Sequence, residues 1–295
     1  METSPASHLD GLISRWPEKL VDRIDKDDWV LVVGAGLSRQ ASNGKSSPKS
    51  WTGLIEELAG RFTSGDSKKV VDELVRVGQY LDAAEVVKQC AVEAGKKTDF
   101  LDTLRAATDG PQGNSFKPGA IHSQLINELA PRLIVTTNYD KIIERASEDA
   151  YNVHRPGDLN LGADVRTGSP ALIKPHGTVD DLTKIVLTRS DYAVIRHEAS
   201  ELYRVMEAVF LTKTCFFIGY SFQDPDLMLL LENSFAGKGR AGAHYWLAPD
   251  DAPTYFKQLF QQHYGVEMVP YSTANNHKEM NEMLDALCLR VSGSR

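Results

Sequence analysis

The chain has 295 residues, 42% of them hydrophobic and 25% charged, with a formal net charge of -7. These are ordinary proportions for a soluble globular protein, and the length suits one large α/β domain or two smaller ones. The charge argues against a protein that coats DNA or RNA by electrostatics alone, while leaving a local basic patch open. The three cysteines, Cys90, Cys215 and Cys288, lie far apart. They form no disulfide framework and no CxxC zinc pair, and read as buried or incidental thiols in a reducing cytosol. No apolar run approaches the ~20 residues of a membrane span. The start, Met1-Glu2-Thr3-Ser4-Pro5, lacks the basic region and apolar core of a secretion signal. A cytoplasmic protein is expected.

Residues 1–28 are an N-terminal helical segment, with Leu9, Leu12, Ile13, Trp16, Leu20, Val21 and Ile24 at helical spacing over His8 to Ile24. Trp29 to Val33 is apolar on both faces, as in a buried parallel strand. Gly34-Ala35-Gly36-Leu37-Ser38 follows. Glycines let backbone amides approach a phosphate, but an ordinary strand-to-helix turn has the same residues. The fingerprint G-x-G-x-x-G is not met, because Arg39 takes the third glycine's place and adds charge there. Gln40 to Ser50 is a loop by composition, placed to close over a ligand. Residues 45–117 form a helical insertion after the first βα unit, with helices expected over Trp51 to Phe62 and almost continuously over Lys68 to Ala107. It carries no obvious chemistry and reads as packing and a wall of the cleft.

His122 to Leu129 is a short helix ended by Pro131. Leu133-Ile134-Val135-Thr136 is a short buried strand that runs into Thr137-Asn138-Tyr139-Asp140 and an amphipathic helix from Lys141. Val153 to Asp164 is turn-rich and feeds a short strand. Further strands are expected at Ala171 to Ile173, Ile185 to Thr188, Cys215 to Ile218, His244 to Leu247 and Val266 to Tyr271. Helices are expected over Asp191 to Leu211, Asp224 to Ser234, Tyr255 to Tyr264 and His277 to Val291, and a Gly-containing turn over Lys238 to Ala243. The alternation predicts an α/β, Rossmann-like doubly wound parallel sheet in a single domain spanning 1–295. Four polar turns then end four strands: Gly34–Ser38, Thr137–Asp140, Lys174-Pro175-His176-Gly177 and Gly219-Tyr220-Ser221. In open α/β sheets such strand ends bind ligands. Singly, a histidine after a strand is often structural, and an Asn-x-Asp turn is often only a helix cap.

Order and type together make the chain resemble the sirtuin superfamily, and more closely its bacterial sirtuin-like NADase branch, from Trp29 to Asp226. In sirtuins a Gly-Ala-Gly-Leu-Ser turn receives the dinucleotide. Thr137-Asn138-Tyr139-Asp140 is similar to the Gln-Asn-Ile-Asp segment at the nicotinamide end. His176-Gly177 resembles the pair that supplies the base, and Gly219-Tyr220-Ser221 resembles the late Gly-Thr-Ser turn. Phe222-Gln223-Asp224-Pro225-Asp226 resembles a sequence common in the NADase branch. Three cysteines cannot build the four-cysteine zinc module of the deacylating members. Their Gly-Ile-Pro-Asp-Phe-Arg loop is replaced by Ser46-Ser47-Pro48-Lys49-Ser50-Trp51, and no acyl-lysine peptide-binding segment is recognisable.

The resemblance implies hydrolysis of NAD⁺ to nicotinamide and ADP-ribose, with NAD⁺ as substrate and with no cofactor or metal. His176, Asn138 and Asp140 are its candidate catalytic residues; Gly34, Ala35, Gly36, Ser38, Thr137, Gly177, Gly219 and Ser221 are the candidate dinucleotide contacts. The chemistry suits these residue types. The scissile bond breaks with oxocarbenium character, like other glycosyl cleavages, and nicotinamide leaves neutral, so no strong acid is required. An imidazole with its ordinary pKa of about 6.5 accepts a proton from water or a ribose hydroxyl near neutral pH. An amide at Asn138 orients water or ribose hydroxyls, and a carboxylate at Asp140 binds the carboxamide or stabilises charge. The family context implies NAD⁺ depletion in anti-phage abortive infection, gated by homo-oligomerisation or by a partner such as a HerA-type ATPase or short Argonaute. With the sequence ending at Arg295, sensing is expected to lie in that partner or in assembly. Neither membrane binding nor sequence-specific nucleic-acid binding is expected. Two other readings are an NAD-dependent deacylase or ADP-ribosyltransferase, and a sensor that binds NAD⁺ or ADP-ribose nucleotides without turnover.

Overall fold

The computed structural model describes residues 5–236, 243–251 and 253–293. Seven parallel strands form one sheet: β1 Trp29–Val33, β2 Leu133–Thr136, β3 Asn152–His154, β4 Ala171–Ile173, β5 Thr214–Ile218, β6 His244–Pro249 and β7 Val266–Tyr271. Their spatial order is β3-β4-β2-β1-β5-β6-β7. β1 is central, with Leu31 beside Ile134 of β2 on one side and Phe216 of β5 on the other. The chain winds outward through β2, then crosses back over β1 to start β5. The turns after β1 and β5 therefore leave in opposite directions and open a crevice at the strands' carboxyl ends.

Side chains alternate across each strand, so β1 serves two cores. Trp29, Leu31 and Val33 face one layer, which includes α1 (Pro5–Ser14), α2 (Glu18–Asp25) and the long C-terminal helix. Val30 and Val32 face the other. Burial on both faces accounts for the near-continuous apolar runs in the strands. The single helix expected over His8 to Ile24 is broken at Pro17, which has φ -61° and ψ 130°. Proline lacks the amide for an intrahelical bond and disfavours a helical residue before it. The indole of Trp16 at this break donates to the Met283 carbonyl at 2.8 Å, pinning the amino-terminal segment to the C-terminal helix.

After β1 come α3 (Ala35–Ser38) and the helices of the insertion: α4 Trp51–Phe62, α5 Gly65–Arg76, α6 Tyr80–Glu93 and α7 Lys97–Thr108. The insertion has its own core around Leu54, Leu58, Val87 and Leu104, which it shares with Tyr139, Val179, Ile185 and Leu187 from the sheet side. The helix expected over His122 to Leu129 is α8 (Ala120–Gln124) followed by a π-helical turn, Leu125–Leu129. Then come α9 (Ile142–Ala146), α10 (Leu161–Thr167), α11 (Arg189–Glu198), α12 (Ser200–Thr212), α13 (Pro225–Ala236), α14 (Thr254–Tyr264) and α15 (Ala274–Ser292). In α15, Asn275, Asn276 and His277 have φ of 53°, 56° and 62°, so the regular helix starts beyond them.

Ile185 to Thr188 forms no strand, contrary to expectation. The apolar alternation is real: Ile185 and Leu187 face the insertion core, and Val186 the sheet core. The backbone, however, bonds to turns, with the Val186 amide donating to the His176 carbonyl at 3.1 Å and its carbonyl accepting from Tyr139 Oη at 2.7 Å. The segment mortars the insertion to the sheet instead of joining it. The turn expected over Lys238 to Ala243 lies, Ala243 apart, outside the described residues. Among the described residues no helix is long and apolar enough to cross a membrane.

Candidate active site

A cavity of about 550 Å³ opens over the carboxyl ends of β1, β2, β4 and β5. Gly34, Ala35 and Ser38 line it from the first turn, Thr137, Asn138 and Asp140 from the second, His176 from the third and Ser221 from the fourth. Gly36, Gly177 and Gly219 lie outside the lining. Of the two readings of the Gly34–Gly36 turn, a phosphate cradle and an ordinary strand-to-helix turn, the hydrogen bonds favour the second: the Gly34 amide donates to Ile218 O at 3.0 Å and the Gly36 amide to Gly219 O at 2.9 Å. Gly219 sits at φ 61° against Gly36, where a Cβ on Gly36 would lie 2.8 Å from Gly219 Cα. These glycines let the β1 and β5 turns touch. Gly177, at φ 81°, serves a tight turn in which its amide donates to Lys174 O at 3.0 Å. Arg39 is exposed and outside the lining.

Ser38, on α3, is buried and tied to the second turn. Its Oγ accepts from Asn138 Nδ2 at 2.9 Å and donates to Asp140 Oδ2 at 2.8 Å. Asp140 Oδ1 accepts from the Ile142 amide at 3.1 Å, closing an Asx-type turn just before α9. The Asn138 carboxamide is thereby oriented with its oxygen available to a ligand. Burial raises the Asp140 carboxyl to about 6, against the opposing pull of Lys174 and Ser38. Beneath the turn, fully buried Lys174 donates to the Asp140 carbonyl and to Glu144 Oε1, the latter at 2.9 Å. A buried ammonium requires such partners, since desolvation otherwise costs several kcal/mol.

His176 is 3% exposed. Its ring meets that of Tyr192 edge-on, with centroids 4.9 Å apart. Nε2 lies 3.3 Å from Asp224 Oδ2, within ion-pair reach though off the hydrogen-bonding line. Tyr192 Oη donates to the same Asp224 oxygen at 2.6 Å. Burial first, and then the Asp224 carboxylate, push the Tyr192 hydroxyl well above its ordinary pKa, which keeps it a donor.

Sequence reasoning expected the insertion to wall the cleft but named none of the residues that complete the cavity. The insertion contributes Lys49, Trp51, Gln79 and Tyr80, and α11 contributes Arg189 and Tyr192. Only the loop before Trp51 gave a signal, through its polar, Pro-containing composition. Asp224 was visible as a helix cap, but its second role facing His176 was not.

The crevice and its four turns define a parallel α/β domain with its cavity at the strands' carboxyl ends. Residues 132–269 match the family model of the SIR2-like domain. Among curated proteins it is similar to the NAD(+) hydrolase ThsA of Enterococcus faecium, at 29% identity over 227 residues, covering 75% of this chain and 42% of that protein. It is also similar to the proteins of that name from Cytobacillus dafuensis, at 23% identity over 78% of this chain and 42% of the relative, and from Bacillus cereus (strain MSX-D12), at 23% over 95% and 58%. The chain thus spans about two fifths of the length of the first two relatives.

Proposed function

We propose that this chain hydrolyses the nicotinamide–ribose bond of NAD⁺, giving nicotinamide and ADP-ribose. One observation carries the reading: His176 and Asn138, from different strand ends, line one cavity at the switch point of a parallel sheet. The relatives named NAD(+) hydrolase support the choice of substrate. NAD⁺ is a substrate here and no resident cofactor takes part.

As the C–N bond breaks, its electron pair stays on the pyridine nitrogen and neutralises nicotinamide, while positive charge grows on the ribose. Water adds to that carbon, and its proton passes to His176 directly or through a ribose hydroxyl. The Asn138 carboxamide oxygen orients the water or the hydroxyl, with Ser38 and Asp140 holding the amide end. Asp140, with both oxygens engaged inside the protein, acts mainly by fixing this geometry. Lys49 and Arg189 are the cations on the lining for the pyrophosphate, each already paired with an acidic residue, Glu57 at 3.7 Å and Asp82.

The defence role is part of the same proposal: NAD⁺ depletion in a bacterial cytoplasm on phage sensing, gated by self-assembly or by a partner such as a HerA-type ATPase or short Argonaute. The test is to mix purified protein, alone and with candidate partners, with NAD⁺ and follow nicotinamide release. Release that His176→Ala and Asn138→Ala abolish is expected. Release undiminished in both variants would overturn the assignment.

A further inference from the structure

Behind His176 lies a polar cluster that bond cleavage, as described, does not use. Asp224 is its hub. The residue before α13, it caps that helix: Oδ1 accepts from the Asp226 amide at 3.1 Å and the Leu227 amide at 2.8 Å, and Pro225 occupies the first helical position. The turn leading to it is anchored by Phe222, which sits at φ 55° and packs its ring 4.7 Å from those of Trp246 and Phe260. A bulky non-glycine residue in the left-handed region costs energy and persists only where its surroundings over-determine it. The effect is to fix the Asp224 carboxylate in place.

The other oxygen, Oδ2, faces the cavity side. It accepts from Tyr192 Oη at 2.6 Å and lies 3.3 Å from His176 Nε2. An ionised carboxylate only accepts hydrogen bonds. With its proton directed at Asp224, Tyr192 Oη also has only lone pairs to offer His176 Nδ1, 3.5 Å away. The imidazole therefore has an anionic oxygen 3.3 Å from one nitrogen, off the hydrogen-bonding line, and a neutral acceptor near the other. A neutral ring in this setting places its proton on Nε2, toward the charge. Nδ1 keeps its lone pair, and a proton arriving there finds the Tyr192 oxygen beside it.

We propose that Asp224 is the positioning residue of His176, holding the Nε2-protonated tautomer and leaving Nδ1 as the basic atom, with Tyr192 bracing both partners. The proposal rests on the hydrolase reading for its catalytic consequence and on geometry alone for the tautomer. The proton taken up at Nδ1 makes an imidazolium that Asp224 stabilises without itself being protonated, the logic of a histidine–carboxylate pair. Nothing is oxidised or reduced, and the proton is later released to solvent.

The experiment is a long-range ¹H–¹⁵N correlation on full-length protein labelled at histidine nitrogens, with the His176 signal identified by its loss in His176→Gln. Wild type is expected to show the Nε2–H tautomer. Asp224→Asn keeps the helix cap, because asparagine caps as well as aspartate, but turns an amide donor toward the ring. It is expected to switch His176 to Nδ1–H and to lower kcat for nicotinamide release roughly a hundredfold, with KM within about threefold. Tyr192→Phe is expected to retain Nε2–H and lose about fivefold in kcat. An Nδ1–H signal in wild type, an unchanged tautomer in Asp224→Asn, or a raised KM with kcat intact would overturn the proposal. If wild type releases no nicotinamide, the hydrolase reading fails, and the tautomers of the two proteins still decide the His176–Asp224 relation.

Discussion

Ser38 and Asn138, separated by 100 positions in sequence, share a hydrogen bond of 2.9 Å, and Ser38 hands its own proton to Asp140 at 2.8 Å. The hydroxyl is thus a link between the β1 and β2 turns, facing inward with both functions engaged. Ser38→Ala is expected to reduce nicotinamide release ten- to a hundredfold, as roughly an ångström of misplacement at Asn138 would. It is also expected to cost about 1–3 kcal/mol, because Asp140 Oδ2 loses its donor in a buried place. Steady-state release and urea denaturation measure the two effects. Full activity in the variant would show that Asn138 needs no such support.

Lys174 and Glu144 form an ion pair that is almost wholly buried, at 1% and 4% side-chain exposure. Removing one partner strands the other charge. Lys174→Met is expected to lose about 3–5 kcal/mol, and adding Glu144→Leu to restore most of it. Urea midpoints of the single and double variants test this. A single variant within about 1 kcal/mol of wild type would contradict it.

Burial lifts the Asp140 carboxyl from 3.8 to about 6. The folded protein therefore holds this proton more tightly than the unfolded chain does. The resulting stabilisation is present in full below the unfolded value and is lost as pH rises to about 6. Asp140→Asn has nothing to titrate at this position, so its stability relative to wild type is expected to rise between pH 4 and pH 7. Denaturation of both proteins across that range checks the sign; a falling difference would mean that the ionised carboxylate is the favoured form.

Gly219 and Gly44 both have positive φ, 61° and 83°, but only Gly219 is pressed against another backbone. Gly44→Ala is expected to cost about 1–2 kcal/mol for the left-handed conformation alone. Gly219→Ala must also push the β1 turn away from the β5 turn, and is expected to lose roughly 3 kcal/mol or more, with the cavity deformed. Thermal melts distinguish the two; equal losses would show that the turn contact is soft.

The four strand-end turns were legible in the sequence because each is a local pattern, an apolar β-branched run stopped by Gly, Asn, Asp or His. The insertion was legible as helix and as a wall of the cleft, but which of its residues face the site was not. Nothing in the sequence places Trp51 or Gln79 opposite Asn138, since only the shared core at Tyr139, Ile185 and Leu187 swings the insertion over the crevice. The Ile185 to Thr188 misreading has the same origin. Alternation reports which side chains are buried, and is silent on whether the backbone finds a strand or a loop to bond with.

The amino-acid sequence by itself determined the parallel α/β architecture and the position of the crevice, because strand periodicity and turn chemistry are short-range; the candidate roles of His176 and Asn138 came from the family resemblance of the turns taken together. Only the tertiary structure decided what each turn does. It pressed Gly36 and Gly219 into a contact between loops, made Ser38 a link between the β1 and β2 turns, and set Asp224 against His176. These are relations between groups distant along the chain, and their geometry is fixed by packing across the sheet, which no local pattern encodes.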